Sequence, residues 1–175
     1  MSEAGAPGFV VRAEREDDHA AVHAVNAAAF ESPFEADLVD RLRREASPVV
    51  SLVAEAGGKV VGHVLFTPVT LAGHHDLRLM GLAPMAVAAV HQGRGVGSAL
   101  VRDGLDRCAR MEVGAVVVLG HPGYYPRFGF EPGAGYGLAC EYDAPAEAFM
   151  VKELQPGYLA GRSGTVSYHA AFAGE

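Results

Sequence analysis

Two stretches near the start of the chain carry apolar residues at helical spacing. Ala21, Val22, Val25, Ala28 and Ala29 form the first stripe, behind Asp17 and Asp18, either of which suits a helix cap. Ser32-Pro33 ends that helix and opens another, with Ser32 as cap and Pro33 at the first helical position. Phe34, Leu38, Val39 and Leu42 then give the second helix an inward face, and Arg41, Arg43 and Arg44 suit its C-terminal end. A first strand over residues 9–13 precedes both.

The pattern then changes to strands. Residues 49–54 and 59–69 are β-rich runs joined through Gly57-Gly58, a hairpin signal. A turn at Gly73-His74-His75-Asp76 leads to a strand over about 77–90. The strongest helix follows over residues 95–112, with Gly97, Leu100, Val101, Gly104, Cys108 and Met111 on its buried side. Asp103–Arg107 and Asp106–Arg110 are supporting pairs four residues apart on its surface. Ala115–Leu119 is continuously apolar, as in a strand buried on both faces. A short loop-helix-loop covers residues 120–130, and weaker strand patterns occupy 137–142 and 165–172. An antiparallel meander feeding a βαβ unit predicts an α/β protein: an α+β mixed sheet, mostly antiparallel, with helices on both faces.

Composition narrows the function. A length of 175 residues suits one domain, taken here as 9–175 behind a flexible tail at 1–8. The formal charge of -7 argues against nucleic acid or an anionic membrane as partner, since both require a basic face. Cys108 and Cys140 cannot make a disulfide framework, and no spaced metal site is visible, so no metal is expected. No apolar run reaches membrane-spanning length, and the N-terminus lacks the basic and apolar regions of a secretory signal. A cytoplasmic location is the expectation.

The chemistry concentrates in Gln92-Gly-Arg-Gly-Val-Gly97, between a strand and the first turn of the strongest helix. Glycines there let backbone N–H groups approach an anion, and the helix N-terminus adds its positive dipole end. The Ser98 hydroxyl and the Arg94 cation add further donors. The inferred ligand is a pyrophosphate. A dinucleotide fold requires an acidic residue at the end of the next strand, but that strand ends in Leu119-Gly120-His121. A P-loop is excluded because no Gly-Lys-Ser/Thr follows the glycines.

Gln92-x-x-Gly95-x-Gly97 resembles the CoA pyrophosphate motif of the GNAT N-acetyltransferases. Leu82-Ala-Pro-Met-Ala-Val87 resembles that family's fourth strand, and Tyr125-x-x-x-Gly129-Phe130 its closing motif. The wording from Val118 to Phe130, with Cys140-Glu-Tyr-Asp143, is similar to the YhbS-like branch of bacterial acetyltransferases. The resemblance spans roughly residues 9–154. It implies the GNAT fold, with strands 4 and 5 splayed apart and pantetheine lying in the gap.

Pro84, lacking a ladder N–H, belongs at the bulge that starts the splay. Met85, Ala86 and Val87 would offer backbone groups to pantetheine and the thioester oxygen, a stabilisation of about 3–4 kcal/mol per donor in acyl transfer. Gln92, Gly93, Arg94, Gly95, Val96, Gly97 and Ser98 complete the expected acetyl-CoA contacts. The implied reaction is direct attack of a primary amine, on a small molecule or a protein, upon acetyl-CoA as co-substrate.

Tyr125 stands where the family has its general acid, and a phenol with pKa about 10 holds its proton at neutral pH. Tyr124 is the alternative acid. Glu35, His63, Glu141, Asp143 or a water are the candidates for base. A CoA-binding sensor or scaffold without catalysis is the competing reading. Monomer and homodimer are both compatible with the sequence.

Overall fold

The computed structural model describes residues 8–173. The expected tail at 1–8 therefore lies, except for Gly8, outside the described residues. Among them, β1 (Val10–Ala13) pairs with β2 (Val50–Ala56), β2 with β3 (Lys59–Leu71) and β3 with β4 (Leu79–Val87), all antiparallel. β4 then runs parallel to β5 (Ala115–Leu119). β5 continues to β8 (Phe149–Glu153), which carries the two-residue β6 (Glu131–Pro132) at the edge. β7 (Leu138–Cys140) and β9 (Gly164–Ser167) pair in parallel, and β9 attaches to the end of β3 through Thr70 and Leu71. The sheet is mixed and mostly antiparallel, the GNAT fold.

Three helices cover it. α1 (His19–Phe30) and α2 (Pro33–Glu45) lie on one face and α3 (Val96–Arg110) on the other. Strand alternation explains the division. On β3, Val64 and Phe66 join the core under α3, whereas Leu65 between them joins the core under α1 and α2. Val116 and Val118 of β5 face the α3 core, and Ala115 and Val117 face a third cluster beneath β7–β9. The continuous apolar run of β5 thus reflects burial on both sides.

Several local expectations change. Ser32 does cap α2, its Oγ accepting from Phe34 N–H at 3.1 Å. Asp18 sits at the cap position of α1 but makes no cap bond. Its carboxylate instead accepts from Arg12 at 2.7 and 3.0 Å and from the Arg15 N–H at 2.7 Å. Ala28, Ala29 and Phe34 are exposed, not inward, because the α1–α2 junction overhangs a cleft instead of the sheet. The strand expected to 90 stops at Val87, and Ala89–His91 forms a 3-10 turn. The strand expected to 172 stops at Ser167, and Ala170–Ala173 is likewise a turn. β8 had no expectation, since Phe-Met-Val-Lys-Glu is too short to show a period.

One irregularity positions the site. Val64 pairs with Met85 and Phe66 with Leu82, so β4 carries an extra residue opposite Leu65, a bulge at Ala83-Pro84. Parallel pairing with β5 ends at the same level, with Leu82 opposite Val118. Past that point β4 keeps β3 on one side and, among the described residues, has no strand on the other. Among the described residues no helix is long and apolar enough to cross a membrane.

Candidate active site

Two clefts open where β4 and β5 part. The first, of about 610 Å³, is floored by Met85, Ala86 and Val87 and closed by the loop from His91 to Ser98. Gly93 (φ 78°) and Gly95 (φ 84°) occupy the left-handed region, which a side chain would strain. They turn the chain so that α3 begins at Val96 with its first-turn residues Val96, Gly97 and Ser98 lining the cleft; Ala99 N–H bonds the Gly95 C=O at 3.0 Å, and the N–H groups before it have no helical acceptor. Gly97 matters for space: a Cβ there would lie 3.3 Å from the Tyr124 hydroxyl and 3.5 Å from Met85 Cε. A cradle of backbone donors, kept open by glycine at a helix N-terminus, fits a pyrophosphate.

The side chains of this loop divide in role. Gln92 donates through Nε2 to the Val87 carbonyl at 3.0 Å, pinning the loop to the end of β4. Val96 is buried in the α3 core, so it meets the cleft through its backbone alone. Ser98 Oγ is 3.0 Å from the Tyr124 hydroxyl. Arg94 is exposed and does not line the cleft. The cation that does is Arg127, which had escaped the sequence reading. Its guanidinium stacks 4.4 Å over the Tyr124 ring, and its Nε donates to the Tyr124 carbonyl at 2.8 Å.

The second cleft, of about 550 Å³, lies beyond the bulge between the ends of β4 and β5 and the α1–α2 junction. Phe30, Met85, His121 and Tyr124 line both clefts, so the two adjoin. Tyr125 lines the second. It is 8 % exposed, packed edge-on against Tyr124 and Phe130, and burial pushes its phenol pKa up to about 12. Gly120 makes room for it: a Cβ there would fall 2.5 Å from the Tyr125 ring. Among the described residues the Tyr125 hydroxyl has no hydrogen-bond partner, unlike that of Tyr124.

The four candidate bases separate. Glu35 lines the second cleft. His63 does not: it is fully buried beneath α1, with Nδ1 3.2 Å from Asn26 Nδ2 and Nε2 2.9 Å from Ser51 Oγ. Burial, with Arg43 nearby, pushes its pKa down to about 3, so it is a neutral core residue. Glu141 and Asp143 line a different depression beside β7, where Glu141 accepts from the Tyr168 N–H. A larger groove, about 710 Å³, lies beside β1 and the far end of α3. Its Glu14 is already satisfied by Arg43 at 2.5 Å and Ser51 at 2.6 Å, and it is remote from the glycine loop. His23, Asp37 and Asp40 gather on the outer surface of α1 and α2, where His23 Nε2 and Asp37 pair at 2.9 Å.

Residues 10–133 match the GNAT acetyltransferase domain family. The chain belongs to the GNAT acetyltransferases. Within that family it is 39% identical over 165 residues to the uncharacterized N-acetyltransferase YhbS of Escherichia coli, covering 94% of this chain and 98% of the relative. It is 42% identical over 162 residues to YjhQ of the same organism, another uncharacterized N-acetyltransferase, covering 87% and 90%. Its backbone is similar to crystalline Escherichia coli YhbS in complex with CoA, with TM-score 0.90, 37% identity and coverage of 99% and 96%. A GNAT acetyltransferase from Brucella melitensis in complex with acetyl-CoA is also similar, at TM-score 0.78 and 35% identity, over 94% and 97%. As a GNAT family member the chain is an acyltransferase.

Proposed function

We propose that this chain transfers the acetyl group of acetyl-CoA to a primary amine of a small molecule or protein, by direct attack, within one domain spanning residues 9–175. The observation that carries the reading is that the two clefts adjoin where β4 and β5 part, next to the Ala83-Pro84 bulge and a Tyr125 hydroxyl free of protein partners among the described residues. The first cleft suits the CoA pyrophosphate, through the N–H groups of Val96, Gly97 and Ser98, with Gly93 and Gly95 shaping the loop and Gln92 anchoring it. Arg127, more than Arg94, supplies the lining cation.

The backbone edge of Met85, Ala86 and Val87 that faces away from β3 suits the pantetheine amides and the thioester oxygen. The amine then enters from the second cleft. The neutral amine nitrogen bonds to the carbonyl carbon, the C–S bond breaks, the departing thiolate takes the Tyr125 proton, and the proton released from the nitrogen passes through water to restore the phenol. Tyr125 suits this task better than Tyr124, whose hydroxyl is engaged with Ser98.

Free-thiol release from acetyl-CoA, measured across a panel of primary amines, tests the proposal. Acceptor-dependent release is expected. Tight CoA binding with no acceptor-dependent release would leave a CoA-binding module in its place.

A further inference from the structure

We infer that Glu35 receives the ammonium of the acceptor, and that the acceptor is a primary amine on an apolar body bearing no carboxylate of its own. The inference rests on the acetyl-transfer reading above and concerns its acceptor half. Glu35 stands in the first turn of α2 and lines the second cleft. Oε1 is shut off from solvent and has no hydrogen-bond partner among the described residues. A carboxylate oxygen out of water without a partner is costly, which favours a cationic donor at that point.

The rest of the cleft sharpens the choice. Apart from Glu35 and His121, its lining is apolar or phenolic, and it includes no Lys or Arg among the described residues. A substrate carboxylate would find no Lys or Arg there and would face Glu35. Phe30 and Phe34 remain 39% and 45% exposed on the rim, unusual for rings of that size unless something apolar lies against them. Phe172 and Leu38 continue the same surface inward. Cation at one end and hydrocarbon along the wall describe an alkyl or arylalkyl ammonium. An ammonium held by Glu35 stands in the same cleft as Tyr125 and the β4 bulge, where the acetyl carbon is to be attacked.

Calorimetric titration of the CoA-loaded protein with phenethylammonium, and separately with zwitterionic phenylalanine, tests this. Phenethylammonium is expected to bind saturably and phenylalanine not to bind over the same concentrations. Glu35→Gln is expected to weaken phenethylammonium at least about tenfold, as loss of a charge-assisted contact does, while CoA affinity and melting temperature stay unchanged. Phe34→Ala, which leaves the carboxylate intact, is expected to weaken it as well. Equal binding by Glu35→Gln, equal binding of phenylalanine, or no saturable phenethylammonium binding to the wild type would each overturn the inference. A prior titration with CoA alone separates the two levels. No CoA binding by the wild type would bring down the acetyl-transfer reading as well, whereas normal CoA binding with any of those results overturns the Glu35 assignment alone.

Discussion

The hydroxyl of Tyr124 lies 3.0 Å from Ser98 Oγ, joining the turn after β5 to the first turn of α3 across the glycine cleft. The adjacent Tyr125 points its ring between Gly120, Phe130 and Tyr124 and has no such partner among the described residues. Two neighbouring phenols therefore have different surroundings, and the proposed acid role falls to Tyr125. Tyr125→Phe is expected to lower kcat about a hundredfold or more, the lower range for loss of a positioned acid, with acetyl-CoA affinity nearly unchanged. Tyr124→Phe is expected to weaken CoA about fivefold, the worth of one hydrogen bond of about 1 kcal/mol, with a smaller change in kcat. Steady-state kinetics with calorimetric CoA binding distinguishes them, and reversed effects would exchange the two roles.

Gly97→Val is expected to abolish measurable CoA binding while the protein stays folded. A Cβ there would lie 3.3 Å from the Tyr124 hydroxyl, and the two further methyls would extend into the space left for phosphate. The melting temperature and circular dichroism should remain close to wild type. Retained micromolar affinity would refute the loop assignment.

Gly104→Ala is expected to destabilise the fold, by about 1–3 kcal/mol in denaturant unfolding, as overpacking does. Alanine in a helix is ordinarily more stable than glycine, by about 1 kcal/mol. Here its Cβ would lie 2.1 Å from the buried Phe66 ring, so the sign reverses. A rise in stability would mean that Phe66 has room to move.

Acid should destabilise the protein in two stages. His63 has a folded pKa of about 3 against an ordinary 6.5, so the unfolded chain binds a proton that the folded chain refuses. Its contribution is complete above pH 6.5 and is lost as pH falls from there toward 3. Asp18, held down to about 2 by its bond to Arg12, adds a second loss as pH falls from about 4 toward 2, on the order of 1–2 kcal/mol given its partly open guanidinium partner. Unfolding curves between pH 7 and 2 read both. His63→Gln should flatten the upper stage and Asp18→Asn the lower; an unchanged upper slope in His63→Gln would contradict the buried neutral imidazole.

Much of this protein is local in origin and therefore legible in order along the chain. The Ser32-Pro33 helix start, the Gly57-Gly58 hairpin, the double-faced β5 and the loop from Gln92 to Ser98 depend on neighbours within a few residues. Short-range chemistry of that kind leaves a pattern. Pro84 marked the bulge for the same reason, since a residue without an N–H interrupts a ladder wherever it stands.

Tertiary structure decided what depends on distant partners. Asp18 looked like a helix cap until Arg12 claimed its carboxylate, and His63 looked like a base until Asn26 and Ser51 enclosed it. Phe34 fitted an inward stripe, yet α2 meets the sheet further along and leaves the ring on a rim. Arg127 and Glu35 carry no motif, and only the packing of the turn after β5 and of α2 around the splay brings them to the clefts. Sequence by itself determined the glycine loop and helix start that line the first cleft, because they are made of consecutive backbone. The second cleft came from folding, because its walls come from helices, a bulge and a C-terminal turn far apart in the chain.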